Sequence, residues 1–95
     1  MAVLVETRCR HASQSDFYVF NDRVEEAIGA MGEPPAGLMM ALTSPIGDGF
    51  CVYEVWRTEA EMRAFHDAVM PAALSAAGLV SDPLVVSPVW GFSRP

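Results

Sequence analysis

The sequence predicts an α+β domain, a four-stranded antiparallel sheet with two helices on one face. Three observations predict it. Segments with two-residue alternation open the chain, form a close pair in its middle and close it. Two segments with apolar residues at three- and four-residue steps separate those strands. The middle pair is joined only by a short run rich in Pro and Gly, which leaves room for a hairpin and nothing longer. At 95 residues the chain is one domain, 1–95.

The first strand spans residues 2–9 (AVLVETRC). Val3, Val5 and Thr7 share one face, and Leu4, Glu6 and Arg8 the other. Both faces begin apolar, which predicts a central strand. A turn over 11–16 offers Ser13 with Asp16, or Ser15, as helix caps. The helix then runs to about Met31 on a stripe of Phe17, Phe20, Val24, Ala27, Ile28 and Met31, until Gly32 and Pro34-Pro35 stop it. A second strand over 37–44, a loop marked by Pro45, Gly47 and Gly49, and a third strand over 50–57 make the hairpin. Along the third strand Phe50, Val52, Glu54 and Trp56 share a face, opposite Cys51, Tyr53, Val55 and Arg57.

Thr58 caps the second helix, with Glu61 three residues on. Met62, Phe65, Val69, Ala72, Ala73 and Ala76 form its inner stripe and Gly78 ends it. Pro71 lies inside the pattern and predicts a kink or a division, because it has no N–H for the carbonyl of Asp67. The last strand spans 84–93, and Pro88 within it demands an edge position or a bulge. Right-handed crossovers then give the ferredoxin-like βαββαβ arrangement. The helices cover one sheet face. The other also reads apolar, so a second copy of the chain is the expected cover, making a homodimeric α+β barrel.

Composition agrees. Hydrophobic residues make up 52% of the chain and mean hydropathy is +0.25, high for a small monomer. No apolar run nears the ~18 residues of a membrane span, and the start lacks the basic n-region of a secretory signal. A net charge of −6, no Lys and six scattered Arg argue against nucleic acid. Cys9 and Cys51 are too few for a disulfide scaffold and read as free thiols in a cytoplasmic protein. No histidines and cysteines lie at metal-ligand spacing, no phosphate loop is present, and no Ser-His-Asp pattern has strand–turn support. No metal or cofactor is expected.

The passage Val55-Trp56-Arg57-Thr58-Glu59-Ala60, followed by Phe65-His66 and Pro71-Ala72-Ala73-Leu74, resembles the dimeric α+β barrel superfamily. Within it the chain looks like the small antibiotic-biosynthesis-monooxygenase-like proteins and uncharacterised actinobacterial relatives. That resemblance implies a cavity between helices and sheet, lined by Trp56, with Glu54 pointing into the same space. It also includes a haem-degrading branch, whose first-strand Asn, helix Trp and haem-ligating His would fall at Glu6-Thr7, at His66 and at the alanines of residues 72–77. None matches, so that branch is set aside.

Glu54 and His66 are therefore the candidate catalytic residues, and Trp56, Met62 and Phe65 the candidate ligand-binding ones. A carboxylate inside an apolar strand must be paired, protonated or at a cavity. Arg8 and Arg57 are the partners the sequence suggests. A histidine on the helix's inner edge is either a base facing the cavity or a boundary residue bonded to a neighbour. Trp56 and Trp90 also read as core. Two functions stay open. One is a cofactor-independent monooxygenase or isomerase that takes a flat aromatic ligand, with Trp56 stacking on it and Glu54 and His66 handling a proton. The other is a non-catalytic dimeric module that binds a ligand or a protein.

Overall fold

A computed structural model describes residues 1–93 and gives the order β1 (Val3–Cys9), α1 (Gln14–Met31), β2 (Leu38–Ile46), β3 (Gly49–Trp56), α2 (Glu59–Ala76) and β4 (Val85–Pro88). The four strands form one antiparallel sheet in the order β2-β3-β1-β4. This is the ferredoxin-like topology, with β1 and β3 central. The register sorts every side chain. Ala41, Glu54, Val5 and Val86 form one row beneath the helices, and Thr43, Val52 and Thr7 form the next. On the reverse face Met40, Val55, Leu4 and Ser87 make one row, and Leu42, Tyr53, Glu6 and Val85 another.

Local chemistry sets the boundaries. Ser13 accepts from the Asp16 amide while the Asp16 carboxylate accepts from the Ser13 amide, a closed capping box. Thr58 accepts from the Glu61 amide at 3.2 Å, a cap worth about 1 kcal/mol. α2 stops at Gly78, whose left-handed backbone lets the Leu79 amide reach back to the Leu74 carbonyl at 2.9 Å. Gly47, at φ +58°, takes the first central position of the two-residue β2–β3 turn.

Several expectations need correction. β2 runs through Pro45 to Ile46, which an edge strand permits because the missing N–H faces away from the ladder. α2 is one unbroken element through Pro71, neither divided nor stopped there. β4 is only four residues long and ends at Pro88, so Trp90 lies beyond the sheet and is 95% exposed rather than core. Met31 completes the stripe of α1 in sequence but is exposed at the helix end.

The core divides into two apolar clusters between helices and sheet. One gathers Cys9, Phe20, Phe50, Val52, Met70 and Ala73, with Phe17 set edge-on to Phe50 at 5.2 Å between ring centroids. The other gathers Val3, Val5, Trp56, Met62, Phe65 and Val69. On β3 the residue between Val52 of the first cluster and Trp56 of the second is Glu54. On α2 the residue between Met62 and Met70, one turn from each, is His66.

Two measurements check this packing. A β-carbon on Gly49 would lie 1.8 Å from the Cys9 carbonyl oxygen, a backbone atom that cannot yield. Gly49→Ala is expected to cost about 3 kcal/mol in urea unfolding, against about 1 kcal/mol for Gly47→Ala, which meets only open space but needs positive φ. Burial, with the nearby charges of Asp82 and Cys51, raises the Cys9 thiol from 9.0 to about 11. The folded chain holds that proton more tightly than the unfolded one. The resulting stability is present below pH 9 and is lost as pH rises from 9 through about 11. Cys9 is accordingly expected to resist iodoacetamide at pH 8 in native protein and to react at once in denaturant.

Candidate functional site

The site is built where the two core clusters meet. Glu54 extends from the middle of β3 toward the helices, directly across from Val5. His66 extends from the third turn of α2 toward the sheet. Nε2 of His66 and Oε1 of Glu54 lie 2.7 Å apart, and both side chains are 6% exposed. The partner of the buried carboxylate is thus His66, not Arg8 or Arg57. Arg8 sits on the reverse face with Glu6 at 2.9 Å, and Arg57 engages Glu61 one turn along α2.

The pairing sets the chemistry of the ring. With the carboxylate accepting from Nε2–H, the tautomer leaves the lone pair on Nδ1. The ring is held in place as well. Phe65 and Trp56 both meet it near edge-on, at centroid distances of 6.3 and 6.4 Å.

Two clefts approach the pair from opposite sides. The larger, about 680 Å³, lies between the C-terminal half of α2, the middle of β1 and the segment after Gly78; His66 and Thr7 line it, with Met70, Leu74 and Leu84 as apolar walls. The smaller, about 380 Å³, lies between α1 and the β2–β3 hairpin, and Glu54 and Phe65 line it. Each member of the pair therefore faces a different cleft. Both volumes fall within the range of small-molecule sites.

The other expected ligand-binding residues are placed differently. Trp56 and Met62 are fully buried and line neither cleft. The Trp56 indole is packed against Phe65 at 5.4 Å, and its Nε1 has no hydrogen-bond partner. The face of that ring is occupied by core side chains, so it offers no open platform to a flat ligand. Phe65 belongs to the same cluster but reaches the wall of the smaller cleft.

One residue of the larger cleft was not singled out from the sequence. Thr7 is 1% exposed and its hydroxyl has no hydrogen-bond partner. The signal was present in the alternation of β1, which puts Thr7 on the helix face with Val3 and Val5. Pro71, which has no N–H to give the Asp67 carbonyl, lines this cleft together with Asp67. Among the described residues no group of three or more His, Cys, Asp or Glu converges as for a metal ion, and no helix is long and apolar enough to cross a membrane.

No protein-family model matches the sequence, and no curated protein matches it. Solved structures do. SnoaB, a cofactor-independent oxygenase from Streptomyces nogalater, superposes with a TM-score of 0.60 at 13% identity, over 96% of this chain and 94% of its own. A putative antibiotic biosynthesis monooxygenase from Deinococcus radiodurans gives 0.60 at 16% identity, over 100% and 98%. Another from Chloroflexus aurantiacus gives 0.62 at 15%, over 98% of each chain. The likeness extends over whole chains while few residues are shared, so what it establishes is the architecture: this chain has the ferredoxin-like α+β fold of the antibiotic-biosynthesis-monooxygenase-like proteins.

Proposed function

We propose that the protein is a small-molecule enzyme of the cofactor-independent monooxygenase kind, in which His66 takes a proton from the ligand and Glu54 orients the ring. The observation that carries this reading is the 2.7 Å contact between two buried titratable side chains, each of which lines a cleft. General-base work needs a basic atom held within hydrogen-bond reach of the substrate and sheltered from water. Nδ1 of His66 supplies the atom, and Met70, Leu74 and Leu84 give the cleft apolar walls around it.

The step balances with dioxygen as the one co-reactant. His66 removes a proton from an activated CH₂ beside an aromatic ring. The resulting carbanion, delocalised over that ring, transfers electrons to O₂ and forms a C–O bond. Return of the proton gives a hydroperoxide, and loss of water from it leaves C=O. One CH₂ and one O₂ become one carbonyl and one water. The chain's contribution is to position the proton acceptor against the ligand.

The assembly we propose for this enzyme is a homodimer through the reverse face of the sheet. Leu42 and Val85 are 49% and 42% exposed there, beside half-buried Leu4, Met40 and Tyr53. The row of Met40, Val55 and Leu4 gives the face an apolar band, with the Glu6–Arg8 pair beside it, which suits packing on a like sheet about 10 Å away.

Two experiments test these readings. Oxygen uptake with hydroxylated polycyclic aromatics is expected to fall 10²–10⁴-fold in His66→Ala and to fall substantially in Glu54→Gln, which keeps the shape but loses the carboxylate. Unchanged turnover in both variants would remove the pair from the chemistry and favour a binding module. For assembly, light scattering at micromolar concentration is expected to give twice the mass of the chain, and Leu42→Arg to give one chain's mass, because it buries an unpaired charge. A wild type that runs as a single chain would sink the dimer.

A further inference from the structure

The larger cleft has a charge character that narrows what it admits. The arginines among the described residues are each already engaged by a carboxylate: Arg8 by Glu6, Arg10 by Asp82, Arg23 by Glu26, Arg57 by Glu61 and Arg63 by Glu59. None of them lines either cleft around the buried pair, and the chain has no lysine. The larger cleft carries Asp67, and the smaller carries Glu25 and Glu54. A carboxylate or phosphate ligand would meet that negative charge with no Arg or Lys at hand to offset it.

Apart from His66 and Asp67, the polar side chains that line the cleft are the hydroxyls of Thr7, Ser75 and Ser81. Thr7 sits at its floor with a hydroxyl that bonds to nothing, although the residue is 1% exposed. A buried hydroxyl left unmet is unfavourable, and an entering oxygen atom would relieve it. Register places Thr7 opposite Val52 and Val5 opposite Glu54, so Thr7 is a diagonal neighbour of the carboxylate that holds His66. Thr7 and His66 thus border one cleft from its sheet and helix sides.

We propose that this cleft selects uncharged aromatic ligands bearing a hydroxyl or carbonyl oxygen, and that Thr7 is the residue that recognises that oxygen. The inference rests on His66 and Glu54 forming the functional site. Thr7 is a specificity-determining residue in this account. Its hydroxyl donates to a ligand carbonyl, or accepts from a phenol. The discrimination against anions belongs to the cleft as a whole.

The test uses calorimetric titration at pH 7 with 2-naphthol, 2-naphthoate and naphthalene, together with NMR of the Thr7 methyl group and the His66 ring. Wild-type protein is expected to bind 2-naphthol with shifts at both residues, and 2-naphthoate at least tenfold more weakly. Thr7→Val keeps the shape and removes the hydroxyl. It is expected to bind 2-naphthol about fivefold more weakly, the factor one ordinary hydrogen bond supplies, and to bind naphthalene as the wild type does. Its melting temperature should not fall, since an unmet polar atom has been replaced by a methyl group. Equal 2-naphthol affinities in wild type and Thr7→Val, or 2-naphthoate binding as tightly as 2-naphthol, overturn the proposal. Shifts confined to the smaller cleft, with Thr7 silent, overturn it while leaving the Glu54–His66 pair as the functional site. Failure of 2-naphthol to bind anywhere overturns both.

Discussion

A carboxylate in the middle of a central strand is the constraint that the interior answers to. Glu54 lies under both helices, and an unpaired charge there would cost several kcal/mol. His66 meets it because α2 crosses above β3 with its third turn over the middle of that strand. This crossing depends on the short Thr58 cap, which starts α2 three residues after β3 ends. It also depends on the stripe of Met62, Phe65 and Val69, which keeps the same face of α2 against the sheet. The polar pair consequently occupies the seam between two apolar clusters. It interrupts neither, and each cluster closes around its own aromatic residues.

The second consequence concerns β3 as a whole. Cys51 and Val55 point away from the helices, yet both are buried within a single chain. Neighbours on β1 and β2, such as Leu4 and Met40 beside Val55, shelter the middle of the reverse face by themselves. The apolar exposure that remains lies farther out, at Leu42 on one edge strand and Val85 on the other. An interface on this face would therefore draw on the edge strands together with half-buried Leu4 and Tyr53 of the central ones.

Much of this architecture was legible in the residues. Alternation and helical spacing identified all six elements in order, and the caps at Ser13 and Thr58 and the stop at Gly78 were readable because each is a local event within a few residues. What was not legible depended on register and on distant contacts. Glu54 was recognisable as a buried carboxylate needing a partner, but Arg8 and Arg57 drew attention because they are charged and near in sequence or strand position. Alternation would have shown that both point to the reverse face, away from Glu54. Pairing with His66 required knowing where α2 crosses the sheet. Trp90 was misplaced because β4 pairs with β1 for only four residues and ends at Pro88. Trp56 was placed correctly on the helix face. Whether a tryptophan there meets a cleft or its neighbours depends on how Phe65 and Met62 fill the volume above it.

Stability alone gives little reason for the Glu54–His66 pair. Replacing both partners of a buried hydrogen bond by apolar side chains of similar shape can be nearly neutral or stabilising, and apolar clusters lie on both sides of this one to receive such a replacement. Thr7 and Trp56 point the same way, because each buries a polar atom with no partner where valine or phenylalanine would leave none. These costs are not scattered through the fold. Thr7 adjoins Glu54 across the sheet, Trp56 follows it by two residues on the same strand face, and Trp56 and His66 are ring neighbours. Among the described residues no other buried side-chain polar atom lacks a partner, so the concentration of unfavourable polar groups around one carboxylate marks the place where the sequence departs from what folding by itself would favour. Local departures of that kind are expected at functional sites, and here the departure borders a cleft large enough to hold a ligand.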